Sequence, residues 1–173
     1  GLFSAFVCFV PAALRRTHVI SLPGTISFLV AFAPFLHALG LFTGAYDDFA
    51  QFDTVTHTLS STVVALLIFY ALTCIQYLAG GRVNFTGRGL TLFTALISLT
   101  FSVYWEVIEH LSDIIMGSMA QYSPYDTLTD LVCDSVGTMI ASLWAGVYMR
   151  GRTASDAIED LELSPRLRRM ASR

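Results

Sequence analysis

The chain is 173 residues long, room for one domain, and 54% of it is apolar with only 13% charged and a mean hydropathy of +0.63. A soluble domain usually carries about 25% charged residues; this composition excludes disorder, collagen, a secreted disulfide framework and a basic nucleic-acid binder, and leaves a polytopic membrane protein as the default. Its net charge is −3, and all ten basic residues are Arg.

Crossing the hydrocarbon as a helix takes about 20 mostly apolar residues. The opening stretch, Gly1 to Leu14, is apolar but shorter than that, so it is either the visible end of a longer helix or a re-entrant piece. Arg15 and Arg16 follow its apolar run instead of preceding it, which argues against a secretory signal. Four stretches reach full length, roughly 18–41, 55–79, 89–112 and 127–149. Pro11, Pro23 and Pro34 sit in or near the first two segments and are expected to kink them. Gly80-Gly81 and Asn84-Phe85-Thr86-Gly87 mark a turn before the fourth segment. Asn84-Phe85-Thr86 is formally a glycosylation sequon, but it falls on the inner face and reads as a plain turn.

Only helices and closed barrels satisfy their backbone in lipid, and runs of this length are helical, not alternating strands. The expected fold is all-α, a polytopic transmembrane helical bundle of four to five spans over residues 1–150, without internal repeats. Residues 151–173 form a cytoplasmic tail of different composition. Thr153-x-x-Asp156 looks like a helix start, Asp156, Glu159, Asp160 and Glu162 make an acidic face, and Ser164-Pro165 ends the run. Arg166, Arg168, Arg169 and Arg173 then suit anionic headgroups; the plainer alternative is a solvated, flexible tail.

Arg in short loops marks the cytoplasmic side. Arg15 and Arg16, Arg82 and Arg88, and the Arg from 150 onward all fall on one face. The protein is therefore expected in the cell membrane with its C-terminus inside and the 42–54 and 113–126 loops outside. Of the 13 acids four belong to the tail, leaving nine: Asp47, Asp48, Asp53, Glu106, Glu109, Asp113, Asp126, Asp130 and Asp134. Every one maps to the outer loops or outer helix halves, as do His37, His57 and His110, whereas His18 lies at the inner end. No Arg or Lys shares that side.

Residues three or four apart share a helix face. Asp53 and His57 are so spaced, as are Glu106, Glu109, His110 and Asp113, and Asp126, Asp130 and Asp134. At 1.5 Å per residue Asp134 lies about 12 Å along its helix, and charges at such depth face the bundle interior and mark functional sites. Carboxylates packed together cannot all ionise without a positive partner, which leaves protons or a bound metal ion. An oxygen-rich set with imidazole and no thiolate favours a divalent metal, Zn, Mn or Fe, with Ca or Mg fitting if the His stand back. The metal-ligand candidates are Asp53, His57, Glu106, Glu109, His110, Asp130 and Asp134, with Glu109 and Glu106 the catalytic candidates; a proton-sharing cluster is the alternative. Glu106-Val107-Ile108-Glu109-His110 does not meet the Glu-x-x-His pattern of di-metal bundles.

Asp47 and Asp48 read as solvated, His37 as packed, and Asp113 and Asp126 as helix caps. Cys8, Cys74 and Cys133 are too scattered for a disulfide or zinc motif. Tyr104, Trp105, Tyr122 and Tyr125 suit an aromatic belt at the outer interface. No Walker loop, G-x-S-x-G or dinucleotide fingerprint is present.

Phe52-Asp53-Thr54-Val55-Thr56-His57, Tyr104-Trp105-Glu106-Val107-Ile108-Glu109-His110 and Tyr125-Asp126-Thr127-x-x-Asp130-x-x-x-Asp134-x-x-Gly137 together resemble the YjdF-like group of small polytopic membrane proteins, with a D-x-x-x-H, a Y-E-x-x-E and a D-T-x-x-D block in that order. The order is more distantly similar to VanZ-like proteins. The resemblance covers roughly residues 46–148; His110 stands where the group often has Trp, and Ala120-Gln121-Tyr122-Ser123-Pro124 replaces a glycine-rich lead-in. It implies a fold and a site, not a reaction.

Three functions fit. A metal-dependent membrane enzyme open to the outer leaflet would activate water, with Glu109 or Glu106 accepting the proton, although no base stands by to clamp a phosphate. A metal-ion or proton transport component would use the acidic stripes, although the inner helix halves carry no ionisable groups. An accessory structural subunit of a membrane complex would use the cluster to lock the bundle. The partners implied are the lipid bilayer and, in the last case, other membrane subunits; no nucleic acid is implied.

Overall fold

The computed structural model describes residues 9, 12–13, 16, 20–118, 121, 123–159 and 161–163. The Gly1–Leu14 segment as a whole, Cys8, Pro11, Arg15, His18, Tyr122, Asp160 and the basic end from Ser164 lie outside the described residues. In chain order the elements are β1 (Ile20–Ser21), α1 (Gly24–Thr43), the one-turn α2 (Ala45–Asp48), α3 (Ala50–Leu78), α4 (Gly87–Met116), α5 (Pro124–Tyr148), the short α6 (Ala154–Glu159) and β2 (Glu162–Leu163). Four of these helices, α1, α3, α4 and α5, are long and apolar enough to cross a membrane. The protein is an all-α membrane bundle.

Two boundaries depart from expectation for one reason: an apolar run stops at the first charge, whereas helical hydrogen bonding does not. α3 begins at Ala50 and α4 runs to Met116, so Asp53 and Asp113, which fall in the expected loops 42–54 and 113–126, sit on helix. Pro23 is the N-cap of α1 and lies before the helix, so it does not kink it; Pro34 lies inside. Thr86 caps α4 by accepting from the Gly89 N–H at 3.0 Å, and Ser123 caps α5 by accepting from the Asp126 N–H at 3.2 Å with Pro124 just inside.

The bundle turns large apolar side chains outward. Along α4, Leu92, Leu96, Phe101 and Ile108 are exposed, whereas the buried residues recur every four positions as Leu90, Thr94, Ser98, Ser102 and Glu106. Lipid gives no hydrophobic drive between helices, so association relies on close packing and interhelical hydrogen bonds, both favoured by small residues. α3 packs chiefly on α5, which runs parallel to it, and α4 lies antiparallel against both. Gly137 sets the closest approach: a Cβ there would fall on Ser61 Oγ and the Thr58 carbonyl oxygen, and Thr62 Oγ1 donates to the Gly137 carbonyl at 3.2 Å.

At the end carrying Arg82, Arg88, Arg150 and Arg152, an apolar cluster joins Leu66, Phe69 and Tyr70 of α3 with Leu90 and Ala145. Trp144 and Tyr148 stack at 4.9 Å and Arg152 lies 4.4 Å over the Tyr148 ring. The tail joins this cluster: Ile158 and Leu161 are 2% and 1% exposed. The solvated alternative for the tail is thereby corrected for Ala157, Ile158 and Leu161, because α6 has an apolar face that α3 covers. Thr153 and Asp156 cap α6 reciprocally, as their spacing predicts. Asp156 accepts from the Thr153 N–H at 2.6 Å and its hydroxyl at 2.9 Å, which holds the carboxyl below its usual range. β2 then pairs antiparallel with β1, Ile20 opposite Leu163.

Gly137→Ala is expected to lower stability by about 1–3 kcal/mol through overpacking, while Gly24→Ala, with nothing within 4 Å of its Cβ, stays within about 0.5 kcal/mol. Ile158→Ala should cost about 2–5 kcal/mol as a cavity in the arginine-end cluster. Thermal unfolding in detergent measures all three.

Candidate metal centre

The acidic residues converge where α3 and α5 begin and α4 ends. Asp53 and His57 lie one turn apart on α3 and face Asp130 and Asp134, one turn apart on α5. His57 Nε2 stands 3.5 Å from Asp53 Oδ1 and 3.8 Å from Asp130 Oδ1, and Nδ1 stands 3.3 Å from Asp134 Oδ1. One imidazole therefore sits among three carboxylates, its two ring nitrogens addressed from different sides. Asp130 and Asp134 are buried and Asp53 is half-buried. No Arg or Lys pairs with them among the described residues.

The third wall is α4. Glu106 is 4% exposed, and its Oε1 has no hydrogen-bond partner among the described residues. Gln121 closes over the other side, donating to the Glu106 carbonyl at 3.1 Å and to Oε2 at 3.4 Å. Asp113 holds that connection in place, accepting from Ser118 Oγ at 2.6 Å and from the Gln121 N–H at 2.9 Å. Glu109, one turn after Glu106, accepts from Trp105 Nε1 at 2.9 Å.

Two sets of potential ligand atoms lie within 4.8 Å of one another, Asp53–His57–Asp130 and His57–Glu106–Glu109, sharing His57. Five of the seven expected ligands thus come together. Asp134 lies outside both sets, on the other ring nitrogen of His57. His110 is exposed and falls in neither. Glu109 and His110 are successive residues about 100° apart on the helix, and only the Glu109 side is half-buried.

Beside Asp53 and Asp130 opens a cavity of about 250 Å³ lined also by Tyr46, Thr54, Ser123, Tyr125, Asp126 and Thr129. Asp126 therefore faces a cavity while Ser123 does the capping. Tyr46, on α2, donates to His37 Nδ1 at 2.6 Å if that nitrogen is the acceptor, and lies 3.3 Å from Thr56 Oγ1. His37 is packed in this contact, as expected, and Asp47 and Asp48 are exposed. Tyr104 and Tyr125 are exposed at the same end.

Residues 3–151 match the profile of a family described as "Predicted membrane protein (DUF2238)", the YjdF family. The chain belongs to this family. Among curated proteins and solved structures none matches it. The match spans all four long helices and the whole cluster of this family member. Gln121, Trp105 and Tyr46 take part in the cluster or its rim without having been singled out for it in the sequence. Trp105 was legible from its four-residue spacing to Glu109, whereas Gln121 reaches Glu106 only through the folded loop.

Burial pushes the Tyr46 phenol up to about 12. The folded protein then holds this proton more tightly than the unfolded chain, whose Tyr titrates near about 10. Its contribution is complete below pH about 10 and is lost as pH rises toward the folded value. Alkaline unfolding in detergent should show that decline, and Tyr46→Phe should flatten it while lowering neutral-pH stability by about 1–3 kcal/mol through the lost His37 contact.

Proposed function

We propose that the protein holds a divalent metal ion, Zn, Mn or Fe, at this cluster, and that the cluster faces the outside of the membrane. The observation that carries the reading is the convergence of Asp53, Asp130, Glu106 and Glu109 on His57, with Glu106 Oε1 buried and without a partner among the described residues. A carboxylate oxygen without a donor at that burial is costly, and a cation is the group that the donor set fits. His57 would ligate through Nε2, with Asp134 on Nδ1 fixing tautomer and ring orientation as a supporting carboxylate does. The orientation follows from Arg82, Arg88, Arg150 and Arg152, all at the opposite end.

Such an ion would supply Lewis acidity. Glu109, half-buried and oriented by Trp105, and Glu106 behind it are the groups placed to accept a proton. The adjoining cavity carries Asp53, Asp126 and Asp130 and, among the described residues, no Arg. It suits an uncharged, hydroxyl-bearing or cationic molecule and disfavours a phosphate. Metal-dependent hydrolysis of an uncharged ester at the outer leaflet is the enzymatic reading that these residues support best.

Elemental analysis of the purified protein tests it. Wild type should carry stoichiometric metal, released by acid because the ligands must be deprotonated. Asp53→Ala, His57→Ala and Glu109→Ala should lose it, Asp134→Asn should weaken it about 10–100-fold, and His110→Ala should keep it. Metal-free wild type ends the proposal, and metal that survives the first three changes places the ion elsewhere.

A further inference from the structure

Beneath the carboxylates the buried stripes continue as hydroxyls. On α4 Glu106 is preceded at intervals of four by Ser102, Ser98 and Thr94; on α5 Asp130 and Asp134 are followed by Thr138 and Ser142, and all are buried. Ser98 Oγ and Thr138 Oγ1 bond to each other at 3.0 Å. The helices are antiparallel, so equal steps of four from that pair match Ser102 with Asp134 and Glu106 with Asp130 in one direction, and Thr94 with Ser142 in the other. At 1.5 Å per residue Thr94 lies about 18 Å along its helix from Glu106, more than half of a hydrocarbon core about 30 Å thick. One turn further Leu90 ends the ladder in the apolar cluster with Phe69, Ala145, Ile158 and Leu161.

The deepest rung is incomplete. A helix hydroxyl in apolar surroundings can donate to the carbonyl one turn back, as Ser61, Thr62, Thr73, Thr100 and Ser135 do at 2.7–2.8 Å. Thr94 Oγ1 and Ser142 Oγ, in residues 0% and 1% exposed, have no hydrogen-bond partner among the described residues. Each such orphan costs about 1–3 kcal/mol and calls for a water. A buried water needs two to four polar partners, which facing hydroxyls provide.

We propose that the α4–α5 seam is a blind water channel. A file of water enters at the carboxylates, passes Ser102 and the Ser98–Thr138 pair, reaches Thr94 and Ser142 and stops at Leu90. It gives protons and water a route from the acidic end into the middle of the membrane, sealed from the arginine end by the apolar cluster. The channel rests on hydroxyls one to three turns below Glu106, none of them among the candidate ligands, and stands whether or not a metal binds.

The test uses the full chain in liposomes, with Cys8, Cys74 and Cys133 replaced and single cysteines introduced as Thr94→Cys, Ser98→Cys or Leu96→Cys. Leu96 lies at the same depth but faces lipid. With silver ion added on the acidic side, Thr94→Cys and Ser98→Cys should react about ten times faster than Leu96→Cys, equivalent to about 1.4 kcal/mol of access. Equal rates, or faster reaction from the arginine side, overturn the proposal. Thr94→Val in the otherwise unaltered protein gives an independent sign. In a dry seam it removes an orphan and raises the thermal midpoint; in a wet one it strips a partner from the water and lowers it. A fall supports the channel, and a rise overturns it.

Discussion

Everything at the acidic end depends on His57 standing between two helices. Asp53 shares its helix, whereas Asp130 and Asp134 belong to α5, so the imidazole is where three carboxylates from α3 and α5 meet in a layer without Arg or Lys among the described residues. Carboxylates at this depth repel one another and have lost most of their water. The arrangement holds only if something of opposite character occupies its centre, and His57 is the side chain already there. The close approach that makes this geometry possible lies about one turn below His57 and Asp134, where Gly137 lets α5 rest against the α3 backbone. A larger residue at that point would push the helices apart and spread the ligands with them.

The same economy of size shapes the rest of the bundle. Outside the apolar cluster at the arginine end, large apolar side chains look outward because lipid is as apolar as they are, and the buried faces of α4 and α5 are left mainly to Ser, Thr, Gly and Ala. These two buried faces are consequently more polar than the lipid-facing ones. A buried Glu106 is not an intrusion into an oily core but the last member of a stripe that is polar from Thr94 onward.

Much of this was legible in the sequence. The spans follow from apolar run length, the polarity of the bundle from the segregation of Arg and acids, and the meeting of Asp53, His57, Glu106, Glu109 and Asp130 from four-residue spacing on three helix ends. What escaped was of two kinds. His110 shares the spacing of its stripe, but spacing does not say which of two adjacent residues the neighbouring helices will cover. The hydroxyl ladder and the docked tail escaped because their residues carry little signal alone: Ser and Thr are common on lipid and core faces alike, and Ala157, Ile158 and Leu161 make too short an apolar set to declare a packed helix. Only the folded partner reveals them.

The pairing of Ile20–Ser21 with Glu162–Leu163 bears on assembly. It joins the stretch entering the first long helix to the stretch that follows the last, so it closes the bundle as a clasp closes a ring. Synthesis runs from the N-terminus, and the clasp has no second half until all four long helices have left the ribosome. Until then α1 is held by helix packing, chiefly on α3, and not by a strand. Fastening therefore follows the fourth long helix, and it comes from a segment that contributes nothing to the acidic centre at the opposite end of the bundle.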